Sequence, residues 1–217
     1  MDKGRMSPTR ILLADDHTLF REGLKKIIAG TSDIAVAGEA SNGNDVLARL
    51  KKDSFDVLVL DISMPGKDGL EVLKEVRTKY QRLPVLMLSM FPEEQYATRV
   101  LKAGASGYLT KESAPDVLIT AVRKAARGER YVSPTLAEKL VSGLADDLKK
   151  LPHERLSDRE YQIMRLIASG KRMKEIAHQL SLGPTTISTY RARILEKMGM
   201  ASNAELTLYA SQNNLLH

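Results

Sequence analysis

The stretch LVLDISMPGKDG, residues 58–69, decides the fold. Together with Val57, the residues Leu58, Val59 and Leu60 make a continuous apolar run, the pattern of a strand buried on both faces. The run ends in a carboxylate, Asp61, and then turns through Met64-Pro65-Gly66. A charge on the end of a core strand is costly unless it is paired, ligated or modified. A strand-terminal aspartate also serves as a turn residue or a helix N-cap. The rest of the chain has to separate these uses.

Outward from this run, the same pattern recurs. Short, mostly apolar strand runs lie at RILLA (10–14), IAVAG (34–38), DVLVL (56–60), VLMLS (85–89) and SGYLT (106–110). Helical periodicity follows each: Leu19, Leu24 and Ile27-Ile28; Val46, Leu47 and Leu50; Leu70, Leu73 and Val76; Tyr96, Val100 and Leu101; Val117, Leu118, Ala121 and Val122. Five β-α units predict an α/β, doubly wound, five-stranded parallel sheet with helices on both faces. This domain is expected over residues 8–128. Strand patterns then stop. Residues 129–152, with a helical stretch from Pro134 to about Lys150 and then Leu151-Pro152, read as a linker. Residues 153–217 show helix patterns alone. Ser157-Asp158-Arg159-Glu160 and Ser202-Asn203-Ala204-Glu205 both read as capping boxes, and Gly183-Pro184 opens the helix between them, with proline at its first position.

Bulk properties narrow the class. The chain has 217 residues, enough for one or two domains. It has no cysteine, which excludes disulfides, thiol catalysis and thiolate-bound zinc and fits the cytoplasm. No apolar run approaches the ~18 residues of a membrane span. The N-terminal MDKGRMSPTR lacks the apolar core of a secretory signal and reads as a loose tail. Net charge is +6, and residues 156–217 hold eight basic against five acidic residues, which hints at an anionic partner for the C-terminal part.

In open α/β sheets, ligands bind beyond the carboxyl ends of the strands. Strand 1 ends in Asp15-Asp16, strand 3 in Asp61, strand 4 in Ser89 and strand 5 in Thr110-Lys111. Three carboxylates would converge with a hydroxyl and a lysine. Such oxygen donors suit a hard cation, Mg²⁺ for preference, with the Ser63 backbone carbonyl as a further ligand. Asp61 is then a candidate nucleophile towards phosphorus, and Ser89 and Lys111 would hold phosphoryl oxygens. The competing reading is that Asp15-Asp16 cap the first helix.

The C-terminal helices carry a second constellation. Ile176, Ala177, Leu180, Leu182, Ile187, Ile194 and Met198 would pack a helix–turn–helix pair. On the helix from Pro184, Thr185, Ser188, Thr189, Ala192, Arg193 and Glu196 share the opposite face. Small hydroxyls with an arginine suit close approach to a DNA major groove. Arg191, at the edge, can reach a phosphate, and Lys171, Arg172 and Lys174 precede and open the shorter helix. A protein-interaction module with an ordinary solvated face fits the same pattern.

ILLADDH, LVLDISMPGKDG, VLMLS and GASGYLTK resemble the receiver domain of two-component response regulators, of flavodoxin-like fold. LSDRE, IMRLIASG, KEIAHQLSL and TTISTYRARILEKMGM resemble the LuxR-type helix-turn-helix. Together they make the chain similar to the NarL/FixJ class of transcription regulators. The resemblance implies that Asp61 accepts a phosphoryl group from a sensor histidine kinase. It implies that Asp15, Asp16 and the Ser63 carbonyl complete a Mg²⁺ site, and that Ser89 and Tyr108 form a switch pair. It further implies that Ser188, Thr189 and Ala192 face the groove and that Arg191, Arg193 and Lys174 contact phosphates of double-stranded DNA. A homodimer on a two-fold site is expected, with the last helix, Ala204–Gln212, a usual dimer contact and RNA polymerase a further candidate partner. Many members carry a lysine and then a histidine where this chain has Ser188 and Tyr190, so that lysine's contact is not available here. A phosphohydrolase of the haloacid-dehalogenase type using Asp61 would need a second acid two residues on, where Ser63 stands; only slow self-phosphorylation and self-dephosphorylation chemistry is expected.

Overall fold

The computed structural model describes residues 7–113, 115–143 and 151–216. The chain forms two compact units, divided between Glu138 and Lys139. The first alternates strictly: β1 (Thr9–Ala14), α1 (Thr18–Ala29), β2 (Ile34–Ala40), α2 (Gly43–Lys52), β3 (Val57–Asp61), α3 (Gly69–Lys79), β4 (Val85–Ser89), α4 (Glu93–Lys102), β5 (Gly107–Thr110) and α5 (Pro115–Ala126). All strand pairs are parallel, in the order β2-β1-β3-β4-β5. The five-stranded doubly wound sheet read from the apolar runs is thus present.

Strand alternation divides the core. Ile11, Leu13, Val57, Val59, Leu86, Leu88 and Leu109 cluster with Leu24 and Ile28 of α1 and with Leu118, Ile119, Ala121, Val122 and Ala125 of α5. Leu12, Leu58, Leu60, Met87 and Tyr108, also buried, alternate with these and belong to the other face. One expected core position is wrong: Leu19 is 90% exposed. The buried stripe of α1 is instead Phe20, Leu24, Ile27 and Ile28, at i, i+4, i+7 and i+8, and Leu19 lies about 100° away from it.

The turn after Asp61 is specified locally. Gly66 takes the left-handed conformation, φ +73°. Asp68 caps α3 by accepting from the Glu71 N–H, and Glu71 returns the bond to the Asp68 N–H. Gly69 must be glycine for another reason: a Cβ there would stand 2.1 Å from the Asp61 carbonyl oxygen. The helix therefore begins directly against the end of β3.

The segment expected to start a linker packs onto the first unit. The Tyr131 N–H donates to the Ser106 carbonyl at 2.8 Å and forms a parallel bridge with Gly107, extending the sheet edge by one residue pair. The Ser133 hydroxyl bonds to Glu93 and accepts from the Leu136 N–H at 3.1 Å, at the start of α6 (Pro134–Gly143). The remainder of the expected helical stretch, residues 144–150, lies outside the described residues.

The second unit holds a 3-10 turn (Pro152–Arg155), α7 (Asp158–Ala168), α8 (Met173–Gln179), α9 (Pro184–Met198) and α10 (Asn203–Gln212). Ser157 and Glu160 make a full capping box at α7. At α10 the box is incomplete. Ser202 accepts from the Glu205 N–H, but Glu205 reaches back to the N–H of Ala201, one residue earlier than expected. Gly199 ends α9 in the left-handed conformation. Ile176, Ala177, Leu180, Ile187, Ile194, Leu195 and Met198 are buried. Among the described residues, no helix is long and apolar enough to cross a membrane.

Candidate functional site

The strand order reverses between β1 and β3, which is where an open sheet leaves a crevice. Register does the rest. Ala14 pairs with Leu60, so Asp15 and Asp61 emerge side by side; Asp61 pairs with Leu88, and Ser89 with Thr110, so Ser89 and Lys111 follow at the same edge. Asp15 is 0% and Asp61 1% exposed. The Lys111 ammonium, itself 4% exposed, stands 2.6 Å from Asp15 Oδ2 and 2.9 Å from Asp61 Oδ2. The Phe20 ring lies 4.9 Å from Lys111 Nζ, in cation–π range.

The acids are not spent on capping. The N-cap of α1 is His17, with no side-chain capping bond. Asp15 Oδ1 instead accepts from the His17 N–H at 2.8 Å. Asp61 Oδ1 accepts from the Ser63 N–H at 3.2 Å. Burial pushes the Asp61 carboxyl above its ordinary pKa; Lys111 pulls it back and Asp15 pushes it up again.

A divalent cation fits this set. Two buried carboxylate oxygens, Asp15 Oδ2 and Asp16 Oδ1, accept no hydrogen bond, although Lys111 and His17 stand at ion-pair distance. One ligand atom from each of Asp15, Asp16, His17 and Asp61 lies within 4.8 Å of the others. Three carboxylates against one ammonium leave two negative charges, the complement of a divalent ion.

Ser89 and Tyr108 are fully buried and both bond to the backbone of one residue, Phe91. Ser89 Oγ accepts from the Phe91 N–H at 3.1 Å, and the Tyr108 hydroxyl donates to the Phe91 carbonyl at 2.6 Å. The Phe91 ring stacks on Tyr96, centroids 5.0 Å apart. The sequence reading paired Ser89 with Tyr108 but missed Phe91, His17 and Phe20. His17 and Phe20 could have been found from their positions just after Asp15-Asp16; nothing local marks Phe91.

On α9, Thr185, Ser188, Thr189, Ala192 and Arg193 are exposed, opposite the buried Ile187, Ile194 and Met198. The Ser188 and Thr189 hydroxyls donate to the Pro184 and Thr185 carbonyls at 3.1 Å each, which leaves their oxygens outward as acceptors. Lys174 is exposed on α8. Arg191 differs from the rest: it is half-buried, and its Nε donates to Asn203 Oδ1 at 2.6 Å.

A buried aspartate pair with a lysine lies at the switch point of a doubly wound sheet, and a unit with a helix–turn–helix pair follows it in the chain. Residues 11–123 match the response regulator receiver domain, and residues 154–210 match the bacterial regulatory proteins of the luxR family. The chain belongs to the two-component response regulators, in the NarL/FixJ group of transcription regulators, rather than to an enzyme family. It is 35% identical to the response regulator UvrY of Escherichia coli over 94% of each chain. It is 34% identical to the response regulator GacA of Pseudomonas protegens, over 95% of this chain and 97% of that one. Among solved structures it is similar to RcsB from Salmonella enterica serovar Typhimurium bound to promoter rprA in the presence of the phosphomimetic BeF3⁻. That likeness has a TM-score of 0.65 and 28% identity, over 94% of this chain and 98% of that one. A further RcsB structure, two dimers bound to two parallel DNAs, matches with a TM-score of 0.59 at 26% identity, over the same shares.

Proposed function

We propose that this regulator is switched by phosphorylation of Asp61 and then binds a two-fold DNA site as a homodimer. The observation that carries the reading is the buried Asp15–Lys111–Asp61 arrangement, beside which one oxygen each of Asp15 and Asp16 accepts no hydrogen bond. A sensor histidine kinase would supply the phosphoryl group from a phosphohistidine. An Asp61 carboxylate oxygen forms the new bond to phosphorus, and the imidazole leaves. Asp15, Asp16, Asp61 and the Ser63 carbonyl would hold Mg²⁺, which when bound offsets the charge of the carboxylates and of the incoming phosphoryl oxygens. Lys111 holds a phosphoryl oxygen as a point charge, and the Ser89 hydroxyl supplies a second contact.

The added phosphoryl group brings roughly −1.5 to −2 charge. A Ser89 hydroxyl recruited to it must release the Phe91 N–H, and the carbonyl of the same residue holds the Tyr108 hydroxyl. The Phe91 backbone thus joins the two members of the switch pair, and a two-packing equilibrium is biased at that point. In the second unit, α9 enters the major groove with Ser188, Thr189 and Ala192 towards the bases, while Thr185, Arg193 and Lys174 address the DNA backbone. Arg191 reaches a phosphate only by leaving Asn203. RcsB, solved as dimers on DNA, supports the dimeric reading. The place of action is the cytoplasm, where promoter DNA and RNA polymerase are found.

The test is intact-protein mass after brief incubation with Mg²⁺ and acetyl phosphate, on wild type and Asp61→Asn in parallel. One phosphoryl adduct on wild type alone is expected. An equal adduct on both, or none on folded wild type, overturns the assignment of Asp61.

A further inference from the structure

We propose that His17 is a fourth ligand of the acidic site, and that this site prefers a divalent transition metal such as Mn²⁺ or Co²⁺ to Mg²⁺. The inference rests on the reading of Asp15, Asp16 and Asp61 as a cation site.

Three observations carry it. First, His17 Nδ1 is turned towards the acids, 2.8 Å from Asp16 Oδ1 and 3.2 Å from Asp15 Oδ1. The ring does this from the N-cap position of α1, where it makes no capping bond, so capping does not account for its orientation. Second, the ring is placed to bind. The chain folds back so that the His17 N–H donates to Asp15 Oδ1, which fixes the backbone beside the carboxylates. The side chain is 61% exposed, so the second ring nitrogen meets water, and Nδ1, which donates to the carboxylates when no cation is bound, gives up that proton to ligate one. Third, the spacing is close to that of a shared ion. Ligands on opposite sides of an ion at about 2.1 Å are about 4.2 Å apart. The four donor atoms lie within 4.8 Å of one another, so side-chain rotations of a few tenths of an ångström close the set. Asp16 Oδ1 is buried and faces His17 Nδ1 at 2.8 Å, so a cation that takes one of the two meets the other.

The donor types then set the preference. Mg²⁺ takes oxygen ligands and keeps its waters, so it gains little from an imidazole. Affinity for mixed nitrogen and oxygen donors rises from Mn²⁺ through Co²⁺ to Ni²⁺. A site of three carboxylates would not separate these ions strongly from Mg²⁺; a site with one imidazole does. Mg²⁺ still binds through the oxygens, so the proposed phosphoryl chemistry does not depend on His17.

The experiment uses the untagged full chain with Mn²⁺. Nitrogen coupling in the electron spin echo of bound Mn²⁺ reads imidazole ligation directly, whatever the protein's activity. Calorimetric titration gives the affinities for Mn²⁺ and Mg²⁺. In wild type we expect one tight Mn²⁺ with ¹⁴N modulation. His17→Ala should lose the modulation and bind Mn²⁺ about tenfold more weakly, with its Mg²⁺ affinity nearly unchanged. Asp15→Asn should lose both metals. Tight Mn²⁺ without ¹⁴N modulation in wild type, or modulation that survives in His17→Ala, overturns the role of His17 while leaving the acidic site standing. No binding of either metal to folded wild type overturns the cation site itself. Because His17 is largely exposed, its replacement leaves the fold intact, and circular dichroism checks this.

Discussion

Asp61 shows how one buried residue can be costly to the fold. Its carboxyl keeps its proton to higher pH in the folded protein than the ordinary value of 3.8. Stability contributed by the protonated form is therefore complete at low pH, and is lost as pH rises through the raised folded value. At neutral pH, without metal, Asp61→Asn should raise Tm by about 2–4 °C, and the gap should close as pH falls towards 4. Differential scanning calorimetry across that range checks the sign; a variant less stable than wild type at pH 7.5 would contradict it. Lys111 is the reverse case. Lys111→Met leaves two buried carboxylates facing each other with no cation between them. It should cost ~3 kcal/mol in urea denaturation at pH 7, part of it recovered with a saturating divalent cation.

At the scale of elements, the junction between β3 and α3 is the most constrained part of the first unit. Gly69→Ala drives a methyl group into the Asp61 carbonyl, and backbone cannot swing aside as a side chain can. A loss of about 3 kcal/mol or more is expected in urea denaturation, with phosphoryl uptake lost alongside it, because the same carbonyl belongs to the proposed acceptor residue. The helical unit tolerates local damage better. Ser157→Ala removes one bond from the α7 capping box and should cost about 1 kcal/mol without changing the fold.

For the whole molecule, the two units carry complementary electrostatics: a buried acidic site in one and an exposed helix face with Arg193 and small hydroxyls in the other. DNA affinity should fall steeply with salt, because each neutralised phosphate releases counterions. Arg193→Ala should weaken binding to all sequences alike and reduce the slope of log K against log salt by about one. Fluorescence anisotropy at several salt concentrations reads both. A salt-independent affinity would favour a protein-interaction module over a DNA reader.

Much of this was legible in the sequence because it is periodic or local. The β-α alternation, the polar residues at the strand ends and the box Ser157–Glu160 are patterns of neighbours along the chain, and physics reads them without the fold. Leu19 misled because apolar character alone does not fix a helix face; the stripe from Phe20 to Ile28 does, and only the sheet beneath it selects that stripe. Tyr131 looked like linker because a one-residue bridge leaves no periodic trace. Tertiary structure alone decided that Lys111 lies between Asp15 and Asp61, that Arg191 turns to Asn203, that Phe91 joins Ser89 to Tyr108, and that His17 faces the acids. The reason is one of distance along the chain. Asp15 and Lys111 are nearly a hundred residues apart, and strand register and burial, not local propensity, bring their charges within 2.6 Å.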